Sequence, residues 1–124
     1  METETVPEAI EQWDKLGENG YNGFTVNLVL ADNSGNIGYL MGTAHPIRKD
    51  KTPYIGCRVL DGETTEWDWE EGIQPSSMLP RSLNPAKGFL ATANNRQSPD
   101  NSLYDNGATI MSTGRSQRIH EVLT

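Results

Sequence analysis

Two periods of apolar residues set out the first third of the chain. Phe24-Thr-Val-Asn-Leu-Val-Leu-Ala31 alternates, placing Phe24, Val26, Leu28 and Leu30 on one side, the pattern of a half-buried strand. Asp32-Asn-Ser-Gly35 then turns the chain and Asn36-Ile-Gly-Tyr-Leu-Met-Gly42 resumes as a strand. Residues 24–42 therefore read as a β-hairpin, with Gly35 suited to a positive φ. The other period is helical. Ile10, Trp13 and Leu16 recur every third residue within 5–16, Thr5 and Glu8 form a T-x-x-E capping box, Pro7 is tolerated in the first turn and Gly17 supplies a stop. Trp13 reads as the packing anchor of that helix.

Beyond the hairpin the pattern is shorter-ranged. His45-Pro46-Ile47-Arg48 leaves the hairpin; His45 is either a base whose partner the sequence does not name or a structural histidine beside a proline. Residues 54–83 read as strand and loop, with a turn at Asp61-Gly62 and one helical turn over 76–80. Trp67-Asp68-Trp69 alternates across a strand, the two rings either lining a pocket or, the favoured reading, packing in the core. Asn84, Pro85 and Gly88 form a turn signal that launches a short strand over 88–94, ending in the adjacent amides Asn94 and Asn95. An amide at a strand end either offers its N–H to a developing oxyanion or closes a turn through its own backbone.

The loop 95–112 carries Asp100 and Asp105. A loop of that length is commonly functional or held by something, and Ca²⁺ suits carboxylate and backbone oxygens, although the spacing is not that of an EF-hand. Two solvated aspartates are the other reading. A terminal helix over 113–123 follows, capped by Thr113, with Ile119, Val122 and Leu123 apolar. Arg115 and Arg118, three apart, project near each other as surface charges or reach back over Asn94.

Composition narrows the classes. The 124 residues amount to one domain or a piece of one, and with 35% hydrophobic residues, 12 Gly and 7 Pro the core is modest and the turns many. Helices near both ends around strand-rich middle sections make the fold class α+β. A formal charge of −7 argues against nucleic acid and anionic membrane as partners, since no basic run exists to neutralise phosphates. Cys57 is the sole cysteine, so there is no internal disulfide and no zinc-type spacing. No stretch approaches the roughly 20 apolar residues of a membrane span. Met1-Glu-Thr-Glu-Thr5 lacks the basic and apolar regions of a secretory signal, which leaves the compartment undetermined.

Several stretches taken in order resemble the penicillin amidase (penicillin acylase) family of N-terminal-nucleophile hydrolases. They are Ala31-Asp-Asn-Ser-Gly-Asn-Ile-Gly-Tyr39, Pro46-Ile-Arg48, Glu66-Trp-Asp-Trp69, Asn84-Pro85, Gly88-Phe-Leu-Ala-Thr-Ala-Asn-Asn95 and Arg118-Ile119. The resemblance covers nearly the whole chain from about Glu8 and implies a section of an αββα sandwich from the middle of the family's β-chain. Such enzymes hydrolyse linear amides, among them acylated amines, acyl-homoserine lactones and β-lactam side chains. Their nucleophile is an N-terminal Ser whose own α-amine is the base.

By motif match Asn94 takes the place of the oxyanion-hole amide, Arg118 that of the arginine supporting the nucleophile's α-amino end, and Asp105 that of a calcium-ligating aspartate. Calcium is implied as structural, and no cofactor is required. Ser34, Ser76 and Ser98 are internal and offer no α-amine beside the hydroxyl, so the nucleophile is expected on a complementary chain or the remainder of the hydrolase, and residues 1–124 alone are expected to be inactive. Unpaired strand edges favour that partner or self-association. Two alternatives remain: a non-catalytic structural or interaction module of a larger assembly, and a small β-rich calcium-binding domain.

Overall fold

The capping box forms at the start of the first helix, α1 (Val6–Glu18). Glu8 N donates to Thr5 Oγ1 at 3.4 Å, and Glu8 Oε2 accepts from Thr5 N and Glu4 N, each at 3.2 Å. In this computed structural model, which describes residues 2–18, 26–42, 45–49, 58–96 and 114–124, α1 runs through Gly17 rather than stopping at it. One interior glycine costs a helix only about 1 kcal/mol, which tertiary contacts offset.

The hairpin consists of β1 (Val26–Ala31) and β2 (Ile37–Gly42), antiparallel with Leu28 opposite Leu40; Phe24 lies outside the described residues. Strand β5 (Arg81–Leu83) pairs with the other edge of β2, giving the order β1-β2-β5. A second, two-stranded sheet pairs β3 (His45–Arg48) with β4 (Trp69–Gln74). The segment that leaves the hairpin is thus itself a strand. Among the described residues, two α-helices and the antiparallel sheets make the fold class α+β.

Why α1 lies on β2 is written in β2's alternation. Gly38, Leu40 and Gly42 share a face; Leu40 is 2% exposed, and the two glycines leave room for the helix. A Cβ on Gly38 would stand 2.5 Å from Val6 Cγ1, and one on Gly42 would stand 2.5 Å from Trp13 Cζ2. Val6, Ile10 and Trp13 are therefore the helix residues on the sheet, and Val6, not foreseen as an anchor, is buried.

Two polar locks hold the arrangement. Asp14 accepts both Arg81 guanidinium N–H groups at 2.8 Å and the Ser76 hydroxyl at 2.7 Å, tying α1 to β5 and to the 3-10 turn Ser76–Met78. The Arg81 bonds hold the Asp14 carboxyl below the usual range against the opposing effect of burial, and Asp14 in turn raises Arg81. Asp32 accepts Val6 N at 3.0 Å, Ser34 N and Asn36 N at 2.9 Å and Asn36 Nδ2 at 2.8 Å, so one carboxylate serves the hairpin turn and the helix start.

The Val6 bond first, then Asn36, lowers Asp32 from 3.8 to about 2. A carboxyl depressed in the folded state stabilises fully above its unfolded pKa, and this contribution is lost as pH falls through the folded one. The urea midpoint of Asp32→Asn is therefore expected to lie below the parent's at neutral pH. The gap should close as the pH falls from 3.8 towards about 2; a gap constant down to the lowest pH would contradict the assignment.

Two expectations are corrected. Residues 88–94 are not a strand: past the Pro85–Gly88 turn they pair with none of the described strands. Nor does the tryptophan pair pack in the core. Trp67 precedes β4 and is half-buried, while Trp69 is 62% exposed with the Arg48 guanidinium 5.8 Å from its ring centroid. In a two-stranded ribbon one face easily stays open, and a cation over an indole suits an exposed site.

Candidate active site

The segment 84–96 is anchored at its start by Asn84, at φ 46. Its N donates to Ile37 O, its Oδ1 accepts from Ile37 N and its Nδ2 donates to Asn36 Oδ1, all at 2.9 Å, so an amide side chain extends the end of β2 by hydrogen bonds a strand would otherwise make. Gly88 at φ 77 closes the Pro85 turn through a 2.9 Å bond to Pro85 O.

The two adjacent amides part company. Asn95 Oδ1 accepts from Ala93 N at 2.9 Å and its Nδ2 donates to Arg96 O at 3.1 Å, so Asn95 closes the local turn. Asn94 instead sits at φ 62, a left-handed conformation Asn tolerates better than most residues, with its side chain exposed. Its Oδ1 accepts from Arg115 Nη2 at 2.6 Å, and its Nδ2 donates to no described residue. The turn-closing reading of such an amide is thus realised by Asn95.

Arg115 belongs to α2 (Gly114–Leu123); the expected cap Thr113 lies outside the described residues. Arg118, the arginine singled out by motif, points elsewhere: its side chain is 73% exposed and pairs with Glu121 at 3.4 Å. Of the two alternatives the sequence left for this pair, Arg115 reaches back to Asn94 and Arg118 is a surface charge. The phase of the helix separates them, since a residue three positions on is displaced by about 60° around a 3.6-residue turn.

Chemically, the Arg115–Asn94 contact fixes an orientation. A guanidinium bonded to the amide oxygen forces the NH₂ group to the opposite side, and it draws charge from the amide so that Nδ2–H becomes a better donor. The Nδ2–H groups of an amide held in this way have the chemistry to steady an anionic oxygen.

The remaining candidates lie apart. His45 starts β3 opposite Gln74, and burial pushes its imidazole below the ordinary value, favouring the neutral form. Asp100, Asp105, Cys57 and Ser98 lie outside the described residues. Among the described residues no three His, Cys, Asp or Glu side chains gather as a metal site requires, and no helix is long and apolar enough to cross a membrane. A cleft of about 270 Å³ between the end of α1 and β4, lined by Asp14, Glu18, Ile73 and Ser76 among others, includes no residue of 84–96.

Comparison with known proteins gives consistent results. The family described as Penicillin amidase matches residues 10–124. Penicillin G acylase of Escherichia coli is 33% identical over 102 residues, covering 79% of this chain and 11% of that protein. Penicillin acylase 2 proenzyme of Pseudomonas sp. (strain SE83) is 34% identical over 70 residues, 56% of this chain and 8% of that protein. Among solved structures, the thermostable penicillin G acylase from Alcaligenes faecalis matches with a TM-score of 0.72 at 25% identity, over 98% of this chain and 20% of that one. The chain thus spans about a tenth of the length of these curated relatives.

Proposed function

Since the chain belongs to the penicillin amidase family, we propose that residues 84–96 and α2 furnish the oxyanion-stabilising side of a linear-amide hydrolase. The observation that carries this reading is the 2.6 Å bond from Arg115 to Asn94 Oδ1, which leaves the NH₂ group of an exposed amide available as a donor. The nucleophile comes from polypeptide outside residues 1–124, in keeping with the share of the relatives that this chain spans.

In the proposed reaction an N-terminal Ser hydroxyl, relieved of its proton by its own α-amine, attacks the amide carbonyl. The carbonyl oxygen gains a negative charge, and Asn94 Nδ2–H donates to it. Arg115 positions Asn94 through its oxygen. It also keeps a positive charge behind the amide, so the donor strengthens without a rearrangement during the reaction. Arg118 keeps the role implied by motif, support of the α-amino end, as part of the same proposal; its pair with Glu121 would have to open first.

The test is hydrolysis of a chromogenic acyl-anilide. Residues 1–124 alone are expected to give no turnover, and turnover is expected once a complementary family chain beginning with Ser is added. Turnover by the unaided chain would overturn the division of labour. An inert combination, together with recovery of the chain as a stoichiometric part of an assembly without amidase activity, would favour the structural-module reading instead.

A further inference from the structure

Helix α2 has no buried residue, yet it is held at a definite place against 84–96. Ser116, Ile119 and His120 are half-buried, and Arg115 lies one turn before Ile119 at the edge of that face. Towards the start of the helix Arg115 meets Asn94. Towards its end His120 meets Phe89 edge to face, with ring centroids 5.5 Å apart and planes at 65°. Phe89 lies five residues before Asn94 and His120 five after Arg115, so the two contacts join an antiparallel pair of segments at both ends.

A single contact leaves a helix free to pivot about it. A second, about 7.5 Å along the axis at 1.5 Å per residue, removes that freedom. The His120 ring is itself held, because Nδ1 faces Ser116 O at 2.8 Å and donates to it, which fixes the tautomer and the ring angle. The Phe89 ring in turn carries the Lys87 ammonium 4.8 Å from its centroid. Both partners of the aromatic contact are thus braced before they meet.

We propose that Phe89 and His120 are positioning residues whose ring contact sets α2 at the angle from which Arg115 holds the Asn94 amide. Neither touches substrate in this account. The structural part stands on the two contacts alone, and the catalytic consequence rests on the function proposed above.

The test has two readouts on the same variants. In NMR spectra of the 124-residue chain, His120→Ala is expected to move the Asn94 Nδ2H₂ signals toward their positions in Arg115→Ala. His120→Phe, which keeps a ring but loses the bond to Ser116, should leave them near the parent's. In the reconstituted hydrolase His120→Ala should lower kcat about tenfold with KM nearly unchanged, His120→Phe should restore most of the loss, and Phe89→Ala/His120→Ala should cost no more than either change alone.

Unmoved Asn94 signals in His120→Ala, or a His120→Phe variant that behaves like the alanine one, would overturn the proposal. Backbone amide signals of β1 and β2 report whether the sheet is intact, which keeps misfolding from imitating the effect. Should Asn94→Ala leave kcat unchanged, the proposed function fails while the NMR result still decides the positioning claim.

Discussion

Asn94→Ala, assayed in the reconstituted hydrolase, is expected to lower kcat by about 10²–10³-fold, the cost of deleting one side-chain oxyanion donor, with KM changed little. The split follows from when the bond matters. A neutral carbonyl in the bound substrate gains little from Nδ2–H, whereas the charged oxygen that develops during attack gains much. Backbone effects need separating from this loss, because Asn94 is at φ 62 and an alanine there costs about 1–2 kcal/mol in the left-handed region. Asn94→Gly removes that strain along with the donor and should lose activity equally. Retention of the parent's kcat by the glycine variant would show that the amide does not act on the reacting oxygen. The side chain is exposed, so the fold should survive either change, as unaltered circular dichroism would show.

The largest expected effect on stability lies elsewhere, at a glycine. A Cβ added to Gly42 would meet Trp13 Cζ2 at 2.5 Å, Cε2 at 3.1 Å and Cη2 at 3.2 Å. These atoms belong to one rigid bicycle, so no single torsion at the tip of a side chain clears the clash; the indole must leave its place and α1 must shift with it. Overpacking of this kind costs about 1–3 kcal/mol, and Gly42→Ala should fall toward the upper end. With a urea slope of about 1–3 kcal/mol/M, the midpoint should drop by about 1 M or more. Gly62→Ala, where nothing lies within 4 Å, serves as the control and should leave the midpoint in place. Pairing Gly42→Ala with Trp13→Leu should cost less than the sum of the two; full additivity would mean that Trp13 does not rest on Gly42.

The parts of this fold that could be read from sequence are those with a local cause. The T-x-x-E box and the three-residue apolar spacing mark α1, and alternation on both sides of Asp32–Gly35 marks the hairpin, because caps and turns act within a few residues. The pairing of β3 with β4 depends on partners more than twenty residues apart in sequence, and the run containing Trp67 and Trp69 does not say which face will be covered. Gly38 and Gly42 flanking Leu40 on one strand face was a readable signal of a closely packed helix that the periodicity argument passed over.

At the candidate site the residue type was legible and the division of roles was not. Asn94 and Asn95 are the same amide in sequence; in the structure Asn95 closes a local turn while Asn94, at φ 62, bonds Arg115. Likewise Arg115 and Arg118 differ by position around α2, which local composition does not encode.

The single carboxylate of Asp32 reaches across 26 residues to the first amide of α1 while also fixing its own turn. Helix and hairpin consequently share a latch. Unwinding the first helical turn strips the turn carboxylate of a donor, and opening the turn leaves Val6 N–H without its acceptor. Fraying at either place is therefore discouraged by the other, and the two elements behave as one cooperative folding unit, although the second stretch of sheet, β3–β4, takes no part in the latch.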